Sequence, residues 1–76
     1  MKLKVLGSSS KGNCYIFEND NEALILECGV RFDKVKQALN FNLSKVVGCL
    51  MTHEHGDHAK FQYDFRKAGI DVYASH

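Results

Sequence analysis

Leu3 and Val5 alternate with Lys2 and Lys4 at the start of the chain. This period of two predicts a strand over "KLKVLGS", with Leu3 and Val5 on one face. The glycine- and serine-rich "GSSSKGN" (Gly7 to Asn13) reads as a turn or loop. "CYIFE" resumes a strand pattern, and "NDNE" (Asn19 to Glu22) closes a hairpin with "ALILECG". In that second strand Leu24 and Leu26 face one way, Ile25 and Glu27 the other, and Gly29 marks its end. Asp33 is placed to cap a helix whose buried face carries Val35, Ala38 and Leu39. "VVGCLM" (Val46 to Met51) is a continuous apolar run between polar neighbours, the pattern of a strand covered on both faces in a parallel sheet. Phe61, Phe65 and Ala68 then recur at helical spacing, with Arg66 and Lys67 suited to the helix C-terminus and Gly69 as the stop. "IDVYA" (Ile70 to Ala74) is a further strand, so the chain ends on a strand–helix–strand unit, parallel and right-handed by the usual rule.

Composition narrows the class without choosing a chemistry. The 76 residues make one domain at most, and a chain of this size buries only ~60% of its unfolded surface. Apolar residues at 45% and charged residues at 25% suit a globular protein. A formal charge of +1 gives no electrostatic reason to bind nucleic acid or a membrane surface. No apolar run approaches the ~20 residues of a membrane helix, and the N-terminus lacks the apolar core of a signal peptide. Cys14, Cys28 and Cys49 are odd in number and not in paired spacing, which argues against a disulfide framework. Cys14 and Cys28 could face each other across the hairpin, but the expected state is three reduced thiols in a cytoplasmic setting.

The chemistry is concentrated in "THEHGDHAKF", where His53, His55, Asp57 and His58 fall within six positions. On an extended backbone His53 and His55 point to the same side and can share one metal ion. Gly56 permits a sharp turn, and that turn would deliver Asp57 and His58 at the start of the next helix to hold a second ion. Nitrogen and carboxylate donors suit zinc, and also manganese or iron. Two such ions ~3.5–4 Å apart clamp the attacking and leaving oxygens of a displacement. The plain alternative is a set of solvated loop histidines with one capping aspartate; the density of donors directly after a buried strand favours the metal. Glu54 should point to the opposite side as a solvated or structural residue. The helical zinc-protease motif does not fit, because its histidines stand four residues apart. "GSSSKG" lacks the Gly-Lys-Ser/Thr ending of a P-loop and reads as a hairpin turn. Phe61, Tyr63 and Phe65 are expected in the core. His76, at the end of the last strand, could approach His53 but reads as a frayed terminus.

"THEHGDH" resembles the His-x-His-x-Asp-His signature of the metallo-β-lactamase fold superfamily. "GSSSKGNCYIF" is similar to the opening of its cytosolic WalJ/YycJ-type branch, and "LILECG" resembles the family strand that ends in "DCG" or "DAG". The resemblance implies an α/β fold, the N-terminal part of the αββα metallo-β-lactamase sandwich, with residues 1–76 as a single partial domain. It implies that His53 and His55 bind the first metal and Asp57 and His58 the second. A metal-bridging hydroxide would be the nucleophile, with Asp57 as the catalytic residue that orients it. Two zinc ions are expected in the complete enzyme, acting on a phosphodiester of nucleic acid or on another, small-molecule ester. The alternative is a non-catalytic metal-binding module, because the family draws further ligands from later segments. Glu27 departs from the family's aspartate, and its extra methylene displaces the carboxylate relative to the cluster. A partial domain of this kind would leave a sheet edge and an apolar face open to self-association.

Overall fold

The structure, a computed structural model, describes residues 1–9, 12–52 and 56–74, without the side chains of residues 9, 56–60 and 74. Its elements are β1 (Lys2–Ser9), β2 (Gly12–Glu18), β3 (Ala23–Leu26), α1 (Phe32–Ala38), a 3-10 turn at Leu43–Lys45, β4 (Val46–Met51), α2 (Gly56–Lys67) and β5 (Val72–Ala74). The five strands form one sheet in chain order. β1, β2 and β3 run antiparallel to one another, whereas β3, β4 and β5 are parallel. A tight turn serves the first kind of step, but a parallel step needs a crossover. The Asn19 side chain makes the β2–β3 turn by accepting the N–H groups of Asn21 and Glu22 at 2.8 and 2.7 Å. α1 and α2 make the two crossovers.

Cross-strand partners share a face, and the register separates the two faces of the sheet. Ile16, Ile25, Cys49 and Val72 lie in one row and are buried beneath Val35, Leu39 and Phe65. The rings of Phe32 and Phe65 join the two helices at 4.8 Å. On the other face run Val5, Tyr15, Leu26, Leu50 and Tyr73, with Leu3, Phe17 and Leu24 beside them. That face has no helix over it among the described residues: Leu50 is 40% and Tyr73 56% exposed. The expectation that Val46 to Met51 is covered on both faces is therefore corrected. Cys49 and Met51 are buried, while Val47 and Leu50 are not.

Other sequence expectations shift in detail. "GSSSKGN" is mostly ladder rather than loop, since Gly7, Ser8 and Ser9 pair with Cys14, Asn13 and Gly12. The strand from Ala23 stops at Leu26, because Glu27 takes a positive φ of 72° that no regular strand accommodates. Arg31, not Asp33, occupies the cap position of α1, without a side-chain cap bond; Asp33 lies in the first turn. Phe65 is fully buried and Phe61 packs against the core, but Tyr63 is 64% exposed and lies near Lys67 Nζ, 5.8 Å from its ring centre. Ala68 is exposed as well. Both stand at the edge of the helical stripe, where one residue's rotation decides burial.

At the sheet end opposite the C-terminal end of β4, Glu18 is buried between Lys4 (2.5 Å) and Lys45 (2.9 Å). Lys4 also donates to the carbonyl of Ala38 at 2.6 Å, which ties the end of α1 to the edge strand. The hydrogen bonds from Lys4 and Lys45 hold the Glu18 carboxyl below its ordinary range. Such a group stabilises the fold above its unfolded pKa of about 4.3 and ceases to do so as pH falls through its lower folded value. Glu18→Gln is expected to cost about 2 kcal/mol at neutral pH and less at a second pH below the lowered folded value of Glu18. Urea midpoints at the two pH values measure the difference, and equal losses at both would reject the ion-pair account.

Candidate metal centre

Parallel pairing sends the C-terminal ends of β3, β4 and β5 to one edge of the sheet. Antiparallel pairing brings the start of β2 to that same edge, with Tyr15 opposite Leu26. The end of the β1–β2 hairpin therefore meets the chain leaving β3. They cross on two glycines: Gly29 N–H donates to the Asn13 carbonyl at 2.9 Å, and a Cβ on Gly12 would stand 2.1 Å from the Gly29 oxygen. This edge is where open α/β sheets place their ligands.

β4 ends at Met51, and α2 opens at Gly56. All four expected ligands thus belong to the strand–helix junction and the first helical turn. Asp57 and His58 are the second and third residues of α2, where the helix dipole favours negative charge. Their side chains, and the whole of His53, Glu54 and His55, lie outside the described residues, as does His76. The donor set is three imidazoles and a carboxylate, a combination that suits zinc, manganese or iron. Among the described residues no group of three or more His, Cys, Asp or Glu could hold a metal ion, so they offer no competing centre.

The chain next to the junction is fixed by Glu27. Its N–H donates to the Leu50 carbonyl at 2.7 Å. Its carboxylate oxygen accepts the main-chain N–H of Thr52 at 2.5 Å and also the Thr52 hydroxyl. Thr52 is the residue before His53. The sequence marked Glu27 as a departure from the family pattern but gave no sign of Thr52 as its partner; a hydrogen-bonding residue directly before the first histidine was the available clue.

Behind the edge lie Cys14, Cys28 and Cys49, all buried and free. Burial, reinforced by Cys28 and Glu27, pushes the Cys14 thiol up to about 12. A hydrogen bond between Cys28 and Cys49 raises Cys49 and lowers Cys28. No bridge joins Cys14 to Cys28, and the three pack as small apolar groups. No helix among the described residues is long and apolar enough to cross a membrane.

The model of the metallo-beta-lactamase superfamily matches residues 9–76. The chain is 35% identical over 80 aligned positions to exodeoxyribonuclease YycJ of Bacillus anthracis, which covers 99% of this chain and 30% of that protein. It is 32% identical over 78 positions to exodeoxyribonuclease WalJ of Streptococcus pneumoniae, covering 97% and 29%. The chain therefore spans less than a third of the length of these relatives. With a mixed five-stranded sheet, two helices on one face, and a family match over nearly its whole length, the chain belongs to the metallo-beta-lactamase superfamily.

Proposed function

We propose that His53, His55, Asp57 and His58 bind divalent metal, zinc before manganese or iron, and that residues 1–76 are the N-terminal part of a hydrolase acting on phosphodiesters of nucleic acid. The observation that carries this reading is the junction itself. Between the last residue of β4 and the first turn of α2 the chain holds its whole donor set, at the ligand-binding edge of the sheet. When bound, the metal supplies Lewis acidity and an activated water near neutral pH. The chain's own parts are then simple. His53 and His55 would hold one cation, and Asp57 and His58 the other. Asp57 would also accept a hydrogen bond from the attacking water and orient it. The N-terminus of α2 favours the anionic phosphoryl group.

Two exodeoxyribonucleases among the relatives support nucleic acid over a small-molecule ester as substrate. The net charge of +1 means that the site, not a general basic field, must supply recognition. The test is release of nucleotides from end-labelled DNA with added zinc or manganese, abolished by chelation, in the longer protein that carries this segment. Chelator-insensitive release, or none, rejects the reading. Three free, buried thiols support placement in the cytoplasm.

A second reading rests on donor number. This chain offers two protein ligands per ion, where a catalytic zinc normally has three. On its own it is then a weak metal-binding module without turnover. Saturable zinc binding with no DNA hydrolysis by the 76-residue chain would fit that reading.

The open sheet face supports self-association. Leu3, Val5, Leu50 and Tyr73 are exposed there, and Phe17, Leu24 and Val47 line an apolar hollow of about 460 Å³. Such a face buries itself when it can. Sedimentation of the chain is expected to show concentration-dependent dimers that Leu50→Lys removes; a monomer at all concentrations would reject this.

A further inference from the structure

The metal chemistry uses none of the cysteines, yet two of them are in contact. Cys49 is fully buried in β4, and Cys28, just beyond β3, is 1% exposed. The Cys49 S–H donates to the Cys28 sulfur, which lowers Cys28 and raises Cys49. The two stand 21 positions apart, and the parallel ladder brings them together. Ile25 pairs with Cys49 and Leu26 with Leu50, and the Glu27 N–H extends the ladder to the Leu50 carbonyl at 2.7 Å. An extended chain would carry Cys28 past Met51. The φ of 72° at Glu27 ends the extension, and Cys28 lies back against Cys49 in the core instead.

A contacting pair has a chemistry that a single buried thiol lacks. The hydrogen bond leaves Cys28 with more thiolate character than Cys49, and the thiolate is the attacking species in disulfide exchange. Cys14 interacts with both through charge alone. Burial limits access, so the reaction needs a local opening. The segment between β3 and α1 is held to its neighbours by the Glu27 N–H bond to Leu50 and the Gly29 N–H bond to Asn13. Releasing so short a segment costs less than unfolding the domain, and it uncovers Cys28 while Cys49 stays within β4.

We propose that Cys28 and Cys49 are a reversible redox pair, which a small disulfide oxidant converts to a Cys28–Cys49 bridge that locks the exit of β3 onto β4. The Cys28 thiolate attacks one sulfur of the oxidant and displaces a thiolate, leaving a mixed disulfide. The Cys49 thiolate then attacks the Cys28 sulfur and displaces the second half of the oxidant. Two protein thiols are oxidised, one oxidant disulfide is reduced to two thiols, and those thiols take up the two protons that the cysteines release. An excess of small thiol runs the same steps backwards. The bridge closes a loop that contains α1 and the 3-10 turn. Constraining the unfolded chain in this way lowers the unfolding equilibrium constant roughly 100-fold.

The test is incubation of the folded, metal-free chain with glutathione disulfide, followed by acid quench, alkylation and peptide mapping by mass spectrometry. The expected product has Cys28 joined to Cys49 and Cys14 free to be alkylated after unfolding. Cys14→Ala is expected to give the same bridge. The oxidised chain should show a higher urea midpoint than the reduced one and slower amide exchange at Gly29, and excess glutathione should reverse both. A bridge that includes Cys14 overturns the pairing. Three unmodified thiols in the folded chain, under conditions that oxidise the urea-unfolded chain, overturn the proposal. A bridged chain that is less stable than the reduced chain overturns it as well, because the bond would then not fit the native packing. The mapping and the urea midpoint are read on the wild-type chain, so the result stands whether or not Cys14→Ala folds.

Discussion

Gly12→Ala is expected to prevent the chain from reaching its native packing. The added Cβ would lie 2.1 Å from the carbonyl oxygen of Gly29 and 3.1 Å from its carbon. Both are backbone atoms, so no side chain can swing aside. Separating the two segments breaks the Gly29 N–H to Asn13 bond, and with it the junction of the β1–β2 hairpin and the β3 exit. Gly29→Ala meets the same obstacle from the other side, with Asn13 N and O at 2.6 and 2.7 Å. Overpacking of this kind costs about 3 kcal/mol or more. A chain of 76 residues has a total stability on the order of 4–11 kcal/mol, so either change removes a large part of it. Two other glycines serve as controls. Gly69 has a φ of 90° and open space around it, so Gly69→Ala should cost only about 1 kcal/mol. A Cβ on Gly48 would meet the exposed Tyr73 ring at 3.2 Å, and the ring can turn away. Urea denaturation of the four variants gives the ranking. Equal losses at Gly12, Gly29 and Gly69 would show that backbone freedom, not the crossing, governs these positions.

Periodicity identified the elements because burial imposes it. The alternation in β1 and the hairpin, as far as Leu26, appear in the structure, as do the parallel unit formed by β4, α2 and β5 and the stop at Gly69. The misreadings have physical sources. A continuous apolar run such as Val46 to Met51 carries no phase, so it could not tell a strand with two covered faces from one with a single covered face. The extra residue at Val47, where the register with β3 shifts, further blurs the pattern. Glycine and serine at Gly7 to Ser9 suggest a loop by composition, yet they pair with Cys14, Asn13 and Gly12, and a Cβ on Gly7 would stand 3.0 Å from the Gly12 carbonyl oxygen. Tertiary contact of that kind leaves no local trace. The Glu27–Thr52 clamp is likewise non-local, joining residues 25 positions apart. The donor set, in contrast, is proposed from residue types and spacing alone, because His53, His55 and the side chains of Asp57 and His58 lie outside the described residues.

The largest expected functional effect lies at His55. His55→Ala should lower zinc affinity by at least ~100-fold, since loss of a mere outer partner already costs 10–100-fold and His55 is proposed to touch the ion. The cleanest readout is linkage between zinc and stability. Zinc at about 100 times its dissociation constant stabilises the fold by about 2.7 kcal/mol. In a domain of this size that raises the midpoint of thermal unfolding by roughly 10 °C or more. His55→Ala should erase the zinc-dependent rise, with the variant's own metal-free midpoint as the baseline. Asp57→Ala should also weaken the zinc effect, but it loses the favourable charge in the first turn of α2 as well, about 0.3–1 kcal/mol without metal. Glu54→Gln and His76→Ala separate the proposed ligands from their neighbours. If Glu54 faces away and His76 is a frayed end, both keep the full zinc-dependent rise. Should His76→Ala lose it instead, the end of β5 contributes a donor, and the first ion has three protein ligands rather than two. Should His55→Ala keep it, the strand–helix junction does not hold the metal, and the proposed centre falls.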